Sequence, residues 1–308
     1  YTLDKTVTAS GSRLFKNWMA RPLLDKSLIN DRLNHVQDFF DNDNFIQDTR
    51  LLLKKTYDIE RIIAKIASNK SNPIDINNLS ISLKIFNNFK NLIPKKSSFI
   101  KNLFKNVINS KKIISIIDST LSDNPPVNMN KGNFIKSGFL SELDDLRSIS
   151  NDANQWMLNY QDKLREETSI SSLKISFNKV FGYYIDVTKT HANKVPDYFI
   201  KKQTLVNNER FFTNELKDFE DKILNAEYKI NELENKIFNN LCQMIMNVSP
   251  DIQSNANLIS KIDIFSSLAY LAINNKYIRP IINENFSLKI KNGRHPVVEN
   301  LLEDSNQF

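Results

Sequence analysis

Residues 216–248 read LKDFEDKILNAEYKINELENKIFNNLCQMIMNV. Their apolar side chains mostly alternate steps of three and four residues, with a slip near Leu241: Leu216, Phe219, Ile223, Ala226, Ile230, Leu233, Ile237, Leu241, Met244 and Val248. This spacing is typical of a heptad seam, which buries its apolar stripe against a partner helix. Thr213 stands where an N-cap would begin the helix. The stretch predicts one helix of about 33 residues, roughly 50 Å long at 1.5 Å per residue.

A second periodic segment, residues 140–164, predicts the partner of this helix. Its apolar residues recur at helical spacing: Leu143, Leu146, Ile149, Ala153, Trp156, Tyr160 and Leu164. Two long helices that run out and back along each other would form an arm. An ordinary hairpin of a helical bundle has the same pattern, and periodicity alone favours that simpler interpretation.

The segment between the two helices, residues 170–212, has a period of two instead. Apolar residues alternate with polar ones on both sides of a short loop: Leu173, Ile175 and Phe177 before it, and Tyr183, Ile185 and Val187 after Gly182. This alternation predicts a β-hairpin, in which Tyr183 and Tyr184 point to opposite faces. A small β module is therefore expected at the tip of the arm.

Most of the chain before residue 122 is predicted to be helical, and Pro125-Pro126 begins an extended loop after it. Helical periodicity runs through residues 11–40 with a break at Pro22, and through residues 45–67, 75–93 and 99–121. The 308 residues contain only 5 glycines, and so few point to long helices with few tight turns. The predicted fold class is mainly α, with one small β-containing insertion.

Composition bounds the functional classes. The net charge of +7 and the pI of about 9.2 favour a nucleic acid or an acidic membrane as partner, although heavy use of Lys and Asn in AT-rich genomes explains the charge equally well. Cys242 is the one cysteine and is predicted to be a core residue, and no metal-binding Cys/His spacing occurs. No apolar run of about 18 residues is found in the sequence, so no membrane span is predicted. Tyr1–Val7 begins as if in mid-protein, so a fragment is expected.

Charge density alone does not locate a nucleic-acid site. Residues 173–212 hold seven basic and three acidic side chains, a net charge of 7 − 3 = +4. Residues 81–117 hold eight lysines and no acid, a net charge of +8. Lysines on the outside of helices most often form a solvated face, so this second stretch is interpreted that way.

The run IKKQTLVN, residues 200–207, is more informative than net charge. Lysine neutralises phosphates at a distance, whereas Gln, Thr and Asn donate directional hydrogen bonds to phosphate oxygens. Such contacts position a protein on DNA without reading its sequence. A polar surface loop has the same composition, and the run by itself does not exclude that alternative.

Several motifs resemble those of bacterial MutS proteins. NKVFGYYIDVTK (178–189) and VPDYFIKKQTLVNNERFFTNELKDFEDKIL (195–224) resemble the clamp of that family. GSRLFKNWMARPLLD (11–25) and YDIERIIAKIA (57–67) resemble its lever domain, and GRHPVVE (293–299) resembles the beginning of its ATPase domain. The motifs follow the order of the family and cover nearly the whole chain.

The resemblance implies a long-helix lever domain with the clamp inserted at the tip of the helical arm. The implied domains are the first part of the lever at 1–153, the clamp at 154–213, the return helices of the lever at 214–280, and a truncated ATPase domain at 281–308. It further implies a homodimer whose clamps touch the backbone of duplex DNA. The residues expected to contact DNA are Lys201, Lys202, Gln203, Thr204 and Asn207, with Lys179 and Lys189 as weaker candidates.

No cofactor or catalytic residue is expected within these residues. They contain no GxxxxGK[ST] phosphate loop, which the resemblance places beyond Phe308, just as it places a mismatch-reading Phe-x-Glu wedge before Tyr1. ATP and Mg are expected for the full-length protein, which would be an ATPase. His35, His191 and His295 lack a partner nucleophile or metal spacing and are interpreted as structural.

The functional hypothesis is that the chain clamps mismatched duplex DNA and relays nucleotide state between ATPase and clamp. A downstream repair protein of the MutL type, no membrane partner, and a cytoplasmic, nucleoid-associated location complete the expectation. Two alternatives remain at this stage: a structural coiled-coil adaptor that binds proteins through its tip, and a MutS homologue that acts in recombination.

Overall fold

The computed structural model describes residues 2–105, 107–178, 182–285 and 287–299. The helices are α1 (Ala9–Ala20), α2 (Lys26–Phe40), α3 (Asp43–Leu53), α4 (Ile59–Ala67), α5 (Pro73–Phe89), α6 (Ser98–Phe104), α7 (Lys111–Thr120), α8 (Ser141–Thr168), α9 (Asn214–Asn247) and α10 (Ser249–Asn274). The strands are β1 (Lys174–Asn178), β2 (Gly182–Thr188), β3 (Ile200–Thr204) and β4 (Asn208–Phe212). Short 3₁₀ helices cover Met129–Lys131 and Lys189–Lys194. The predicted fold class, mainly α with a small β module, is confirmed.

The described residues divide into two compact units. Those within Tyr1–Val127 and Asn240–Phe308 form unit 1, and those within Asn128–Asn239 form unit 2. Helix α9 contributes residues to both units, because the division falls between Asn239 and Asn240. The domain boundaries implied by the resemblance remain a prediction.

Unit 1 is built around α10, which packs against α1, α2, α3 and α4. By length and composition α10 could cross a membrane, since its most apolar window has a mean hydropathy of 1.3. No apolar window of this length was predicted from the sequence. Within the protein 67% of that window is buried, which is typical of the core helix of a globular unit.

The beginning of the chain is fastened to α10 by a buried carboxylate. Asp263 accepts hydrogen bonds from the backbone N–H groups of Val7 (3.0 Å) and Thr8 (2.8 Å) and from the Thr8 hydroxyl (2.6 Å). Burial raises the pKa of Asp263, and these three donors act in the opposite direction. Gly11 allows the close approach, because a Cβ there would overlap the carboxylate of Asp263.

Two stretches predicted as single helices are each broken into two. Residues 45–67 divide into α3 and α4 where Asp58 caps α4 and receives two hydrogen bonds from Arg13, at 2.6 and 2.8 Å. Residues 99–121 divide into α6 and α7 where the buried side chain of Asn255 bonds both the N–H (3.1 Å) and the carbonyl (2.9 Å) of Ile108. At both breaks a distant polar side chain satisfies a backbone group that a continuous helix would otherwise have satisfied, since the Ser82 hydroxyl accepts from the Tyr57 N–H at 2.8 Å at the first break as Asn255 does at the second.

Helices α8 and α9 form the antiparallel pair that the sequence predicted for unit 2. The rings of Trp156 and Phe219 stack with centroids 3.6 Å apart. Thr213 accepts a hydrogen bond from the Leu216 N–H at 3.1 Å, which confirms it as the N-cap of α9, and its hydroxyl also lies 2.7 Å from the Tyr160 hydroxyl. These contacts fix the beginning of α9 against the second half of α8.

The buried stripe of α9 follows the predicted seam only as far as Ile230. Beyond that residue the buried positions are Glu234, Phe238, Leu241 and Ile245, rather than the predicted Leu233, Ile237 and Met244. Met244 is 45% exposed. The slip therefore lies before Glu234, well ahead of the predicted slip near Leu241. Ile149, predicted for the α8 seam, is likewise exposed.

A buried ion pair accounts for this shift. Glu234 is completely buried and accepts a hydrogen bond from Arg147 of α8 at 2.6 Å. The same Arg147 nitrogen donates to the carbonyl of Ile135 at 2.8 Å, and the Ile135 N–H donates to Glu234 at 3.4 Å. A buried charge is tolerated only when it is paired and hydrogen-bonded, so the helix turns Glu234 toward Arg147.

The four strands form one antiparallel sheet in the order β1-β2-β4-β3. The predicted hairpin is confirmed, with Ile175 opposite Ile185 and Ser176 opposite Tyr184. Gly182 begins β2 with a φ of 71°, a conformation that favours glycine, and a Cβ there would also require the Glu220 carboxylate of α9 to move aside. The strands β3 and β4 were not predicted.

Candidate nucleic-acid interface

One face of the sheet is apolar and packs on the helix pair. Its core consists of Tyr160, Leu164, Ile170, Leu173, Ile185, Val187, Phe199, Phe211 and Leu216. Tyr183 packs against this core, whereas Tyr184 lies on the other face, as the sequence predicted for neighbouring residues of a strand. The core holds the sheet on α8 and the start of α9, and so fixes where the β3–β4 hairpin projects its side chains.

The opposite face carries a row of polar side chains across three strands. The register places Asp186 opposite Arg210, and Arg210 opposite Gln203. The Arg210 guanidinium lies 4.2 Å from the centre of the Tyr184 ring and donates to the Gln203 side-chain oxygen at 2.9 Å. Gln203 is thereby held by its oxygen, which leaves its amide N–H groups available as donors.

The predicted DNA-contacting residues of β3 divide between the two faces. Lys201 is opposite Phe211 and Thr204 is opposite Glu209, so both lie on the side of the apolar core. A bulge between Lys201 and Gln203 shifts the register. Lys202, in that bulge, places its ammonium 5.4 Å from the centre of the Phe212 ring.

The β3–β4 turn and the 3₁₀ helix after β2 meet through a backbone bond. The Lys189 N–H donates to the Asn207 carbonyl at 3.0 Å, and the Leu205 N–H donates to the Asn208 carbonyl at 2.8 Å. Lys189, Val206 and Asn207 are exposed. The structure thus brings two of the predicted residues, Lys189 and Asn207, to one end of the hairpin. Lys179 lies outside the described residues.

Strand β3 is an edge strand, so the polar side chains on its two faces lie along the same border of the sheet. Among the described residues it pairs only with β4. Lys201, Lys202 and Thr204 are exposed along it, and Gln203 is half-buried. Side chains of both faces therefore surround one open edge, an arrangement that fits a phosphate backbone better than a pocket for a small molecule.

Two residues of the interface were missed by the sequence analysis, which counted their charges without assigning them roles. Glu209 accepts from the Lys201 ammonium at 2.6 Å, and Arg210 holds Gln203 as described. The signal that could have found them is the pairing register of β3 with β4. That register was hidden, because β3 lacks apolar alternation.

Two tyrosines of the module have a raised pKa. Burial, a hydrogen bond to Glu167 and the charge of that carboxylate all raise the pKa of Tyr198, whose hydroxyl donates to Glu167 at 2.8 Å. Burial, with Glu227 and Glu220 nearby, also raises the pKa of Tyr183. These shifts favour the neutral phenol at both positions, so neither side chain adds a negative charge near the hairpin.

Of the predicted structural histidines, His35 is buried in unit 1. Its ring stacks on Phe265 at 4.8 Å, and its Nδ1 lies 2.7 Å from the Asp31 carbonyl oxygen. His295 is exposed, and the Val298 N–H approaches its Nδ1 at 3.4 Å. These contacts agree with the structural interpretation of His35.

These features define a mainly helical protein with a small antiparallel sheet that packs on a long helix pair. Cations and amide donors surround one edge of that sheet. Residues 1–269 match the family model described as MutS domain III. The chain is 41% identical over 305 residues to the DNA mismatch repair protein MutS of Caldicellulosiruptor saccharolyticus, covering 99% of the chain and 35% of that protein. It is 42% identical over 301 residues to the protein of that name from Flavobacterium psychrophilum, covering 97% and 35%.

The Clostridium tetani protein of the same name is 39% identical over 304 residues, covering 98% of this chain and 34% of its own length. The chain belongs to the MutS family, which confirms the resemblance seen in its motifs. It spans about a third of the length of these curated relatives.

Proposed function

We propose that this chain is part of a DNA mismatch repair protein and that its β3–β4 hairpin contacts the backbone of duplex DNA without reading the sequence. The observation that carries the proposal is a set of cations and amide donors around the open edge of β3, in a chain about 40% identical to proteins named for mismatch repair. Phosphate contacts of this kind set position and orientation, and carry no sequence information.

The chemistry of the hairpin supports this proposal step by step. Lys201 and Lys202 supply positive charge, and each neutralised phosphate releases condensed counterions. Gln203, held by Arg210 through its oxygen, offers its N–H groups to a phosphate oxygen. Lys189 and Asn207 extend the surface at the turn. The apolar core beneath keeps these groups in fixed relation, which lowers the entropy lost on binding.

The proposal extends to the rest of the protein. We assign to the full-length protein an ATPase activity with ATP and Mg, a homodimeric state, a repair partner of the MutL type, and a cytoplasmic, nucleoid-associated location. The chain contains no GxxxxGK[ST] motif, so we assign a phosphate loop of that kind to the rest of the full-length protein. A relay of nucleotide state toward the hairpin would run through α9, whose residues belong to both units.

The test replaces both lysines in the variant K201Q/K202Q and measures binding to matched and mismatched duplexes by fluorescence anisotropy. We expect both duplexes to bind about tenfold more weakly at low salt. The slope of log K against log salt should fall by between about 0.9 and 1.8, since each full phosphate contact contributes about 0.9. The matched control K163Q/K222Q removes two exposed lysines of unit 2 away from β3 and should leave most of the affinity and slope intact.

An unchanged salt slope in K201Q/K202Q would contradict the assignment of the hairpin. A wild-type protein without duplex affinity even at low salt would instead favour the protein-binding adaptor. A loss confined to mismatched DNA would contradict contacts that ignore sequence.

A further inference from the structure

The β3–β4 hairpin contains a carboxylate beside one of its exposed lysines. The Lys201 ammonium lies 2.6 Å from the Glu209 carboxylate, with the lysine side chain 52% exposed and the glutamate side chain 14% exposed. The pair spans β3 and β4, and Glu209 is directly opposite Thr204, another predicted DNA contact. A phosphate that approaches Lys201 therefore meets a negative charge already bound there.

The two partners are held with very different firmness. Glu209 belongs to β4, an inner strand paired on both sides: it stands opposite Val187 of β2 and Thr204 of β3. Its backbone is thus fixed by two ladders, and its carboxylate is mostly sheltered from water. Lys201 belongs to the edge strand and carries a long flexible stem. When a phosphate binds, the lysine moves and the glutamate stays.

We propose that Glu209 lowers the duplex affinity of this hairpin by competing with DNA phosphate for Lys201. This inference rests on the proposed function. Binding a phosphate either leaves the sheltered Glu209 carboxylate without its counterion, or brings phosphate and carboxylate to the same ammonium, and both are unfavourable. Lys201 therefore contributes less to binding than an unpaired lysine would. The consequence is faster release from DNA that has no other hold on the protein.

The test is the variant E209Q in the protein at its natural full length, because glutamine keeps the shape and removes the charge. An ion pair with one exposed partner contributes about 1 kcal/mol, so we expect duplex affinity to rise about two- to fivefold at low salt. The salt slope should steepen by up to about 0.9, the value for one additional phosphate contact. In the K201Q background E209Q should raise duplex affinity no more than E215Q does, because Lys201 and Glu209 act as one pair.

The matched control is E215Q, which causes the same charge change within unit 2. Glu215 pairs with Lys163 at 3.1 Å, and that pair lies on the helices rather than on β3. A gain as large in E215Q as in E209Q would reduce the effect to net charge and overturn the inference. If E209Q lowers the melting temperature too far for binding to be measured, E209D retains the charge but withdraws the carboxylate by one methylene. A smaller gain is then expected, and no gain overturns the inference.

The two proposals fail in different ways. A loss of affinity in K201Q with none gained in E209Q would refute the competition and leave the clamp assignment standing. A loss of affinity in E209Q would show that Glu209 supports the interface, and would also refute the competition. No effect of K201Q/K202Q would refute the clamp assignment itself.

Discussion

The two most basic regions of the chain use their lysines differently. Residues 81–117 carry eight lysines, all of them exposed, on and between α5, α6 and α7. Where contacts are described there, they serve the fold itself: Lys84 pairs with Asp118 at 2.7 Å, and the Lys101 ammonium donates to the carbonyl of Lys95. The β3–β4 hairpin has fewer cations, but these lie next to amide and hydroxyl donors on paired strands.

The difference teaches that the placement of a charge matters more than its density. A lysine on a solvated helix gains little from an ion pair, since water and salt screen it. A charge in a fixed register, or one sheltered from water, acts on specific neighbours. The same rule ranks the expected effects of substitutions, from buried pairs down to the lysine-rich helices.

The largest effect is expected at the buried pair of unit 2. Replacing Glu234 with alanine removes the buried counterion of Arg147 and leaves only the longer contact with Asp144 at 3.4 Å, which should cost about 3–5 kcal/mol in the free energy of unfolding. Urea unfolding followed by circular dichroism measures the loss. The double variant R147M/E234L should recover most of it, because no unpaired charge remains. A loss below 1 kcal/mol for E234A would mean that this pair contributes no more to stability than an exposed ion pair does.

A smaller, pH-dependent effect is expected at the Arg13–Asp58 pair of unit 1. Burial raises the pKa of Asp58, but the hydrogen bonds from Arg13 and Arg61 outweigh it, and the net pKa is lowered from 3.8. The pair should contribute about 1.5–3 kcal/mol, the range for hydrogen bonds to charged groups.

A lowered folded-state pKa contributes stability above the unfolded value, and this stability is lost as pH falls through the folded value. The difference between wild type and D58N should therefore be constant near neutrality and shrink below about pH 4. Unfolding curves at several pH values measure it. A difference that grew toward acid would contradict the sign of the shift.

The variant R210M should lower the free energy of unfolding by about 1–2 kcal/mol. It keeps a long apolar stem but loses the contact with Tyr184 and the hydrogen bond to Gln203. If Arg210 positions Gln203, duplex affinity should also fall by about twofold. The variant Q203A should then add nothing further in the R210M background. Additive losses would show that the two residues act independently.

The smallest effect is expected where the lysines are densest. The variant K90Q/K95Q/K101Q/K105Q removes four exposed charges from residues 81–117. Duplex affinity should change less than twofold beyond the general loss of charge, and the salt slope should stay constant. If the slope of log K against log salt fell by two or more, these lysines would themselves contact phosphates. The contrast between residues 81–117 and the β3–β4 hairpin would then be wrong.

Features specified by neighbouring residues were predictable from the sequence. The helix boundaries near Pro22, the Thr213 cap and the β1–β2 hairpin depend on local spacing. The break between α6 and α7 depends on Asn255, 147 residues away from Ile108, and the shifted stripe of α9 depends on Arg147, 87 residues away from Glu234. Long-range polar contacts of this kind leave no periodic trace.

The candidate site was predictable in its residue types but not in its arrangement. The run 200–207 identified suitable donors and cations. The division of Lys201 and Gln203 between two faces depends on a bulge in an edge strand without apolar alternation. Their partners Glu209 and Arg210 follow from the same register, which tertiary pairing sets.

The shifted stripe of α9 has a geometric consequence. From Leu216 to Ile245 the stripe takes eight steps over 29 residues, about 3.6 residues a step, the period of a straight α-helix. A strict heptad repeat would instead have favoured a left-handed supercoil, because its stripe drifts around a straight helix. With Glu234 in the stripe, the buried positions of α9 keep the straight period, and no supercoil is needed to hold them on one side of the helix.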